Sequence, residues 1–166
     1  MEEILHDGLA AARRAILFQF DMAWSLWEIH RSGLSDEECL WSSPVHGLRV
    51  TFKGGKWTGD WPETEDYGIG APNISWLTWH MISWWEMVFN HSFGAAGLDQ
   101  FHDRWRHILE TMPDDAFCDS TCVLWPFEDH PFYELAAWLN LELMKNVSEI
   151  GYCRFLYAAG QREHLS

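Results

Sequence analysis

The chain has 166 residues, with 25 Asp and Glu against 11 Lys and Arg, which gives a formal net charge of −14. A surface this acidic repels phosphate backbones and anionic lipids, so we expect no nucleic-acid partner and no membrane partner. The length suits one domain with a sizeable core, and we expect a single domain over residues 1–166.

The start of the chain lacks the order of a secretory signal, because two acids come first and Arg13 and Arg14 precede any apolar run. No run of about 18 uncharged apolar residues is present, as a membrane-spanning helix would need. We therefore expect a soluble, cytoplasmic protein. The cysteines are too few and too scattered for a disulfide framework, so reduced thiols are expected.

Apolar residues at helical spacing predict a first helix from Leu9 to Ile29. Gly33 ends this helix. Ser35, with Glu38 three residues later, forms a capping box that predicts a short second helix.

The stretch from Ser42 to Pro72 is rich in glycine and proline and has little periodicity. It predicts a long connection with one short hairpin around Gly54 and Gly55. A connection of this length inside a small domain usually has a function, and covering a pocket is one option that stays open.

Three further helices are expected in the rest of the chain. The first is capped by Asn73 or Ser75 and runs to about His91, before Gly94. The next lies within residues 98–112, and an irregular segment follows it. The last begins near Pro131, a favourable early helix position, and continues to Gly160. Four long amphipathic helices predict an all-α bundle with at least one long crossover connection.

Two polar side chains interrupt the apolar face of the last helix. Its inward stripe contains Glu142 and Asn146, four residues apart, and side chains at that spacing point the same way. A buried carboxylate has to be paired, protonated or bound to a metal. His80 has a similarly apolar background on its own helix. Because facing helices of a bundle can converge on one metal, we expect these three side chains to meet.

A structural interpretation of the same residues stays open. In it, Glu142 pairs with a neighbouring cation, Asn146 bonds to a backbone carbonyl, and His80 is a neutral core histidine with one donor and one acceptor in use. The tryptophans around His80, including Trp76 and Trp84, are likewise either core packing or the wall of a ligand pocket.

Three stretches together resemble the DinB/YfiT-like superfamily of metal-dependent proteins. They are "GLSDEECLWSSP" with the glycine-rich loop after it, "WLTWHMISWWEMVFNHSFG" and "WLNLELMKNVSEIGYCRFLYA". The resemblance covers nearly the whole chain. It implies an up-down-down-up four-helix bundle, a homodimer, and a divalent metal held by one histidine of the second long helix and two ligands of the last helix.

The residues of this chain match that ligand pattern only in part. His80 and Glu142 match two of the expected positions, whereas Asn146 stands where a second histidine is expected, with Lys145 beside it. An amide oxygen is a weak ligand for zinc or nickel, so zinc, nickel or manganese would be held weakly or not at all. Lys145 offers an alternative, because an ammonium near Glu142 would make the metal unnecessary.

The resemblance implies one activity, and two other functions stay open. The activity is a metal-dependent thiol S-transferase or hydrolase-like enzyme, in which the metal lowers the pKa of a low-molecular-weight thiol. Trp76, Trp84 and Lys145 would then line a pocket for the thiol and its apolar electrophile. The alternatives are a non-catalytic protein that binds a small molecule, and a dimeric interaction protein whose polar trio fixes helix register.

Overall fold

The computed structural model describes residues 2–42, 47–64, 66–94, 101–123 and 127–163. Within them the chain is mostly helical, with six α-helices, one 3-10 turn and one two-stranded sheet. The elements in chain order are α1 (Glu2–Arg31), α2 (Asp36–Leu40), β1 (Val50–Lys53), β2 (Lys56–Gly59), the 3-10 turn (Tyr67–Ile69), α3 (Ile74–Phe93), α4 (Phe101–Thr111), α5 (Asp114–Phe117) and α6 (Phe132–Glu163).

The predicted turn between α1 and α2 is confirmed. Gly33 has a φ of 69°, in the left-handed region that favours glycine, so the chain leaves α1 there. The Ser35 hydroxyl accepts the backbone N–H of Glu38 at 3.2 Å and caps α2. The carboxylate of Glu38 has a different partner from the one a capping box predicts, since it pairs with Arg154 of α6.

The predicted hairpin is also confirmed. Gly54 and Gly55 have φ values of 59° and 79°, the positive values of a type I′ turn, which matches the twist of the two antiparallel strands that it joins. In this register Phe52 lies opposite Trp57, and Lys53 lies opposite Lys56.

Asn73 caps α3, as one of the two predicted candidates. Its side-chain oxygen accepts the backbone N–H of Trp76 at 2.9 Å and the hydroxyl of Ser75 at 2.8 Å. Its backbone N–H donates to the carbonyl of Leu48 at 3.1 Å. The cap therefore also holds the base of the hairpin against the start of α3.

The region between α3 and α6 differs in part from the prediction. Helix α4 ends before Pro113 as expected, whereas residues 98–100 of its predicted range lie outside the described residues. The segment predicted to be irregular contains the short helix α5, which packs through the fully buried ring of Phe117. A four-residue helix has too few residues to produce a periodic signal.

The contacts of the chain group into two compact units. The first comprises residues 1–25 and 84–144. Within it the guanidinium of Arg13 donates to the carbonyls of Leu109 and Met112, both at 2.7 Å, and lies 4.1 Å from the centroid of the Phe117 ring. Arg13 thus satisfies carbonyl groups that the end of α4 leaves without helical partners. The core of this unit includes Phe20, Val88, Trp105, Leu109, Phe132, Leu135 and Leu139.

The second unit comprises residues 26–83 and 145–166. Arg154 joins three segments of this unit, because it donates to the Glu38 carboxylate at 2.7 Å and to the carbonyls of His30 and Ser32 at 2.6 Å and 2.9 Å. Gly151, one turn earlier, leaves room for the His30 imidazole, because a Cβ there would overlap that ring. The core of this unit includes Ile74, Leu77, Val147 and Ile150.

The predicted inward stripe of α6 is buried over most of its length. Leu135, Leu139 and Ile150 have no exposed surface, and Asn146 is 1% exposed. Glu142 is half-buried, so its carboxylate is less enclosed than the stripe suggests.

Candidate functional site

His80 lies against an aromatic ring one helical turn before it on α3. The imidazole is stacked on the indole of Trp76, with 4.5 Å between ring centroids and 16° between the planes. The two residues are four positions apart, the spacing at which helical side chains meet. Trp76 is fixed in place, since it is only 6% exposed and its Nε1 donates to the carbonyl of Asp60 at 2.7 Å.

Two further tryptophans complete the group around His80. The centroid of Trp61 lies 5.9 Å from that of His80 and 6.0 Å from that of Trp79, which it meets edge to face. Trp61 is 57% exposed, whereas Trp79 and His80 are half-buried. Trp61, Trp76, Trp79 and His80 are called the tryptophan–histidine cluster below. Its outer wall is accessible from solvent through Trp61.

Glycine at position 59 allows the hairpin to approach this cluster. A Cβ on Gly59 would overlap the six-membered ring of Trp79, so only glycine permits the close packing of β2 on α3. Asp60 then accepts the Trp76 indole N–H, and Trp61 follows directly. The cluster is therefore assembled by the connection between α2 and α3, and all of its members belong to the second unit.

The cluster offers flat apolar surfaces together with one polar ring. Indole faces favour offset or edge-to-face contact with another aromatic ring, which contributes roughly 0.5–1.5 kcal/mol beyond area burial. A neutral imidazole has one donor and one acceptor nitrogen. Such a set of groups suits recognition of a flat apolar molecule that carries a single polar atom.

The residues predicted for a metal site and its pocket divide between the two units. His80, Trp76, Lys145 and Asn146 belong to the second unit, and His80 and Trp76 are in direct contact. Lys145 is exposed and Asn146 is buried.

Glu142 and Trp84 belong to the first unit. Trp84 is half-buried and meets Trp138 edge to face, with 5.0 Å between the ring centroids. Edge-to-face contact of this kind is a favoured arrangement of two aromatic rings.

The donor set fits a tightly held metal poorly. Among the described residues, no three His, Cys, Asp or Glu side chains form a group that could hold a metal ion. The predicted set contains two such side chains, His80 and Glu142, and its third member is the amide of Asn146. Zinc and nickel prefer imidazole and thiolate to a neutral amide oxygen. The metal site stays a prediction.

Two thiols of the second unit are poor nucleophiles. Burial raises the pKa of the Cys153 thiol, and the charge of Glu149 raises it further. Burial also raises the pKa of Cys39, followed by the charges of Asp36 and Glu38. With their pKa values raised, both thiols stay protonated at neutral pH. They are poor nucleophiles because the thiolate is the reactive form.

Sequence reasoning did not single out Trp61 or Asp60 as members of the site. Both follow the hairpin in a connection without periodicity, and no local motif links them to α3. The available signal was Gly59 directly before them, since a strand glycine often marks a close approach of another group.

Comparisons with protein-family models, with curated proteins and with solved structures found no match for this chain. The resemblance to the DinB/YfiT-like superfamily therefore stays a prediction from the sequence. Over the described ranges, none of the helices has both the length and the apolar character needed to cross a bilayer.

Proposed function

We propose that this chain binds a small, flat, apolar molecule at the tryptophan–histidine cluster. The observation that carries the proposal is the stacking of His80 on Trp76, at 4.5 Å and 16°, beside the 57% exposed ring of Trp61. The exposed ring of Trp61 has apolar surface in contact with water. A ligand that covers this ring removes that surface from water, which favours binding.

Each member of the cluster has a separate role in this proposal. Trp76 is the fixed base, because its indole N–H is held by Asp60. Trp61 is the outer wall that covers the ligand. His80 supplies the hydrogen bond that orients the ligand through its single polar atom. An indole, a naphthol or a similar bicyclic compound has the shape and polarity that these groups recognise.

Binding of this kind is measured with indole and 2-naphthol as probes, by isothermal titration calorimetry. Trp61→Ala removes the outer wall, and we expect at least a tenfold weaker Kd, which corresponds to about 1.4 kcal/mol. Trp57→Ala is the matched control, because Trp57 is similarly exposed at 52% and its ring pairs with Phe52 outside the cluster. We expect this control to bind within twofold of the original chain. Equal affinities for the two variants, or no binding of either probe, would refute the proposal.

We also infer that the chain is a divergent DinB/YfiT-like protein with a four-helix bundle of up-down-down-up topology. The long helices α3 and α6 support this inference. A homodimer and a cytoplasmic location belong to the same inference. The metal-dependent thiol transferase remains its catalytic form.

Metal analysis separates the catalytic form from simple ligand binding. The protein is purified without added metal and titrated with zinc, nickel and manganese. If a metal is held, Glu142→Ala abolishes its binding. If Glu142 has only a structural role, the same variant changes the melting temperature and no metal binds to either form.

A further inference from the structure

A cleft of about 480 Å³ lies at the base of the hairpin, where Arg49 directly precedes β1 and Asp60 directly follows β2. Its remaining walls come from the segment before β1 and from the 3-10 turn, and they comprise Gly47, Leu48, Gly68 and Ile69. All six lining residues belong to the second unit. The volume suits a small molecule, since small-molecule sites measure roughly 300–1,000 Å³.

Hydrogen bonds within the chain hold the walls of this cleft in place. The backbone N–H of Arg49 donates to Oδ2 of Asp60 at 3.0 Å, and the backbone N–H of Asp60 donates to the carbonyl of Arg49 at 3.0 Å. In the 3-10 turn, the Asp66 carboxylate accepts the N–H of Gly68 at 2.7 Å, and its carbonyl accepts the N–H of Ile69 at 3.1 Å. Because the walls are already ordered, a ligand loses little affinity to ordering them.

The cleft contains two opposite charges that are not paired with each other. Both Arg49 and Asp60 are exposed. Among the described residues, the Arg49 guanidinium has no hydrogen bond or ion pair, and the Asp60 carboxylate accepts only the backbone N–H of Arg49. A guanidinium binds a carboxylate through two parallel N–H donors, and a carboxylate accepts charge-assisted hydrogen bonds from an ammonium. A ligand that carries both groups therefore satisfies both side chains.

The charges around the cleft favour such a zwitterion over a simple ion. The net charge of −14 repels a free anion, and Asp60 repels it again inside the cleft. A simple cation is repelled there by Arg49. A zwitterion has no net charge, so each of its ends meets the opposite charge without either penalty. Leu48 and Ile69 add aliphatic surface to the same cleft, which suits an apolar side chain on the ligand.

We propose that this cleft binds an α-amino acid with an apolar side chain. Arg49 binds the α-carboxylate, Asp60 binds the α-ammonium through Oδ1, and Leu48 and Ile69 contact the side chain. The tryptophan–histidine cluster uses a different atom of Asp60, its backbone carbonyl, to accept the indole N–H of Trp76. The proposal therefore does not rest on a ligand at that cluster.

The experiment is a nuclear magnetic resonance titration of the nitrogen-15-labelled full chain with L-leucine, read at the backbone amides of Arg49 and Gly68. Three analogues each remove one recognised group: 4-methylpentanoate lacks the ammonium, 3-methylbutylamine lacks the carboxylate, and glycine lacks the side chain. We expect leucine to shift both amides in a saturable way, and we expect each analogue to bind at least tenfold more weakly. No binding of leucine, or an analogue that binds as tightly as leucine, would overturn the proposal.

Two variants test the charged residues separately. Arg49→Gln removes the guanidinium, and we expect leucine to bind at least tenfold more weakly. Lys53→Gln is the matched control, because Lys53 is an exposed cation on the same hairpin outside the cleft, and we expect leucine binding within twofold of the original chain. Equal affinities in these two variants would overturn the proposal.

Asp60→Asn keeps an oxygen that accepts the backbone N–H of Arg49 but removes the charge that binds the ammonium. We expect this variant to bind leucine no more tightly than 4-methylpentanoate, with a thermal melt showing that it remains folded. A folded variant that still prefers leucine tenfold would rule out the role of Asp60. Indole binding to Arg49→Gln is expected to stay within twofold of the original chain, so failure at the cleft is distinguishable from failure at the cluster.

Discussion

Replacing Arg154 by alanine removes a group that holds three segments of the second unit together. The guanidinium donates to the Glu38 carboxylate at 2.7 Å and to the carbonyls of His30 and Ser32 at 2.6 Å and 2.9 Å. Without it, the Glu38 carboxylate has 8% of its side chain exposed and no ion-pair partner among the described residues. Breaking a buried pair from one side costs about 3–5 kcal/mol, and the 27% exposure of the Arg154 side chain places this case near the lower end.

The assay is the free energy of unfolding from urea denaturation. We expect Arg154→Ala to lose about 3 kcal/mol, or roughly 6–12 °C in Tm for a chain of this size. Glu38→Gln combined with Arg154→Met removes both charges, so we expect it to recover much of that loss. Arg31→Ala is the control, because its pair with Glu28 is exposed and contributes about 0–1 kcal/mol. A loss below 1 kcal/mol for Arg154→Ala, or a double variant no more stable than the single one, would refute the reasoning.

Three further predictions concern the packing of β2 on α3, the cap of α3 and the reactivity of Cys153. Gly59→Val places side-chain atoms inside the Trp79 ring, so we expect the free energy of unfolding from urea denaturation to fall by about 1–3 kcal/mol. An unchanged midpoint would contradict the packing of β2 on α3. Asn73→Ala removes the cap of α3, so we expect the free energy of unfolding to fall by about 1 kcal/mol by the same measurement. Asn73→Ser keeps a capping side chain, so we expect it to restore most of that stability. Because burial raises the pKa of the Cys153 thiol, we expect iodoacetamide to alkylate Cys153 more slowly than exposed Cys118 at pH 8. We also expect the alkylation rate of Cys153 to keep rising above pH 9. Equal rates at pH 8, measured by peptide mass spectrometry, would contradict that burial.

The elements that could be predicted from the sequence have local causes. The paired glycines set the hairpin turn, Asn73 caps α3, and Gly33 ends α1. Each of these signals lies within a few residues of the structure that it determines, so no knowledge of the rest of the chain is needed.

The contacts that could not be predicted join distant parts of the chain. The partner of Glu38 is 116 residues away on α6, and the capping box gives no information about it. Trp61 meets His80 only because the connection after the hairpin returns to α3. The path of such a connection depends on its packing, which periodicity does not encode.

The candidate site was therefore predicted in part. The apolar background of His80 and its spacing from Trp76 were visible on one helix, and the two rings are in contact. Trp61, which forms the exposed side of the cluster, belongs to the long connection. The sequence indicated that this connection has a function, but it did not single out Trp61.

The most direct test of ligand binding at the cluster is the intermolecular nuclear Overhauser effect between bound indole and the His80 ring protons. The measurement uses protein labelled at histidine, with His80→Asn to assign the signals. We predict cross-peaks from indole to the Hδ2 and Hε1 protons of His80, which are lost in Trp61→Ala. Saturating indole that gives cross-peaks only to other histidines would contradict the account.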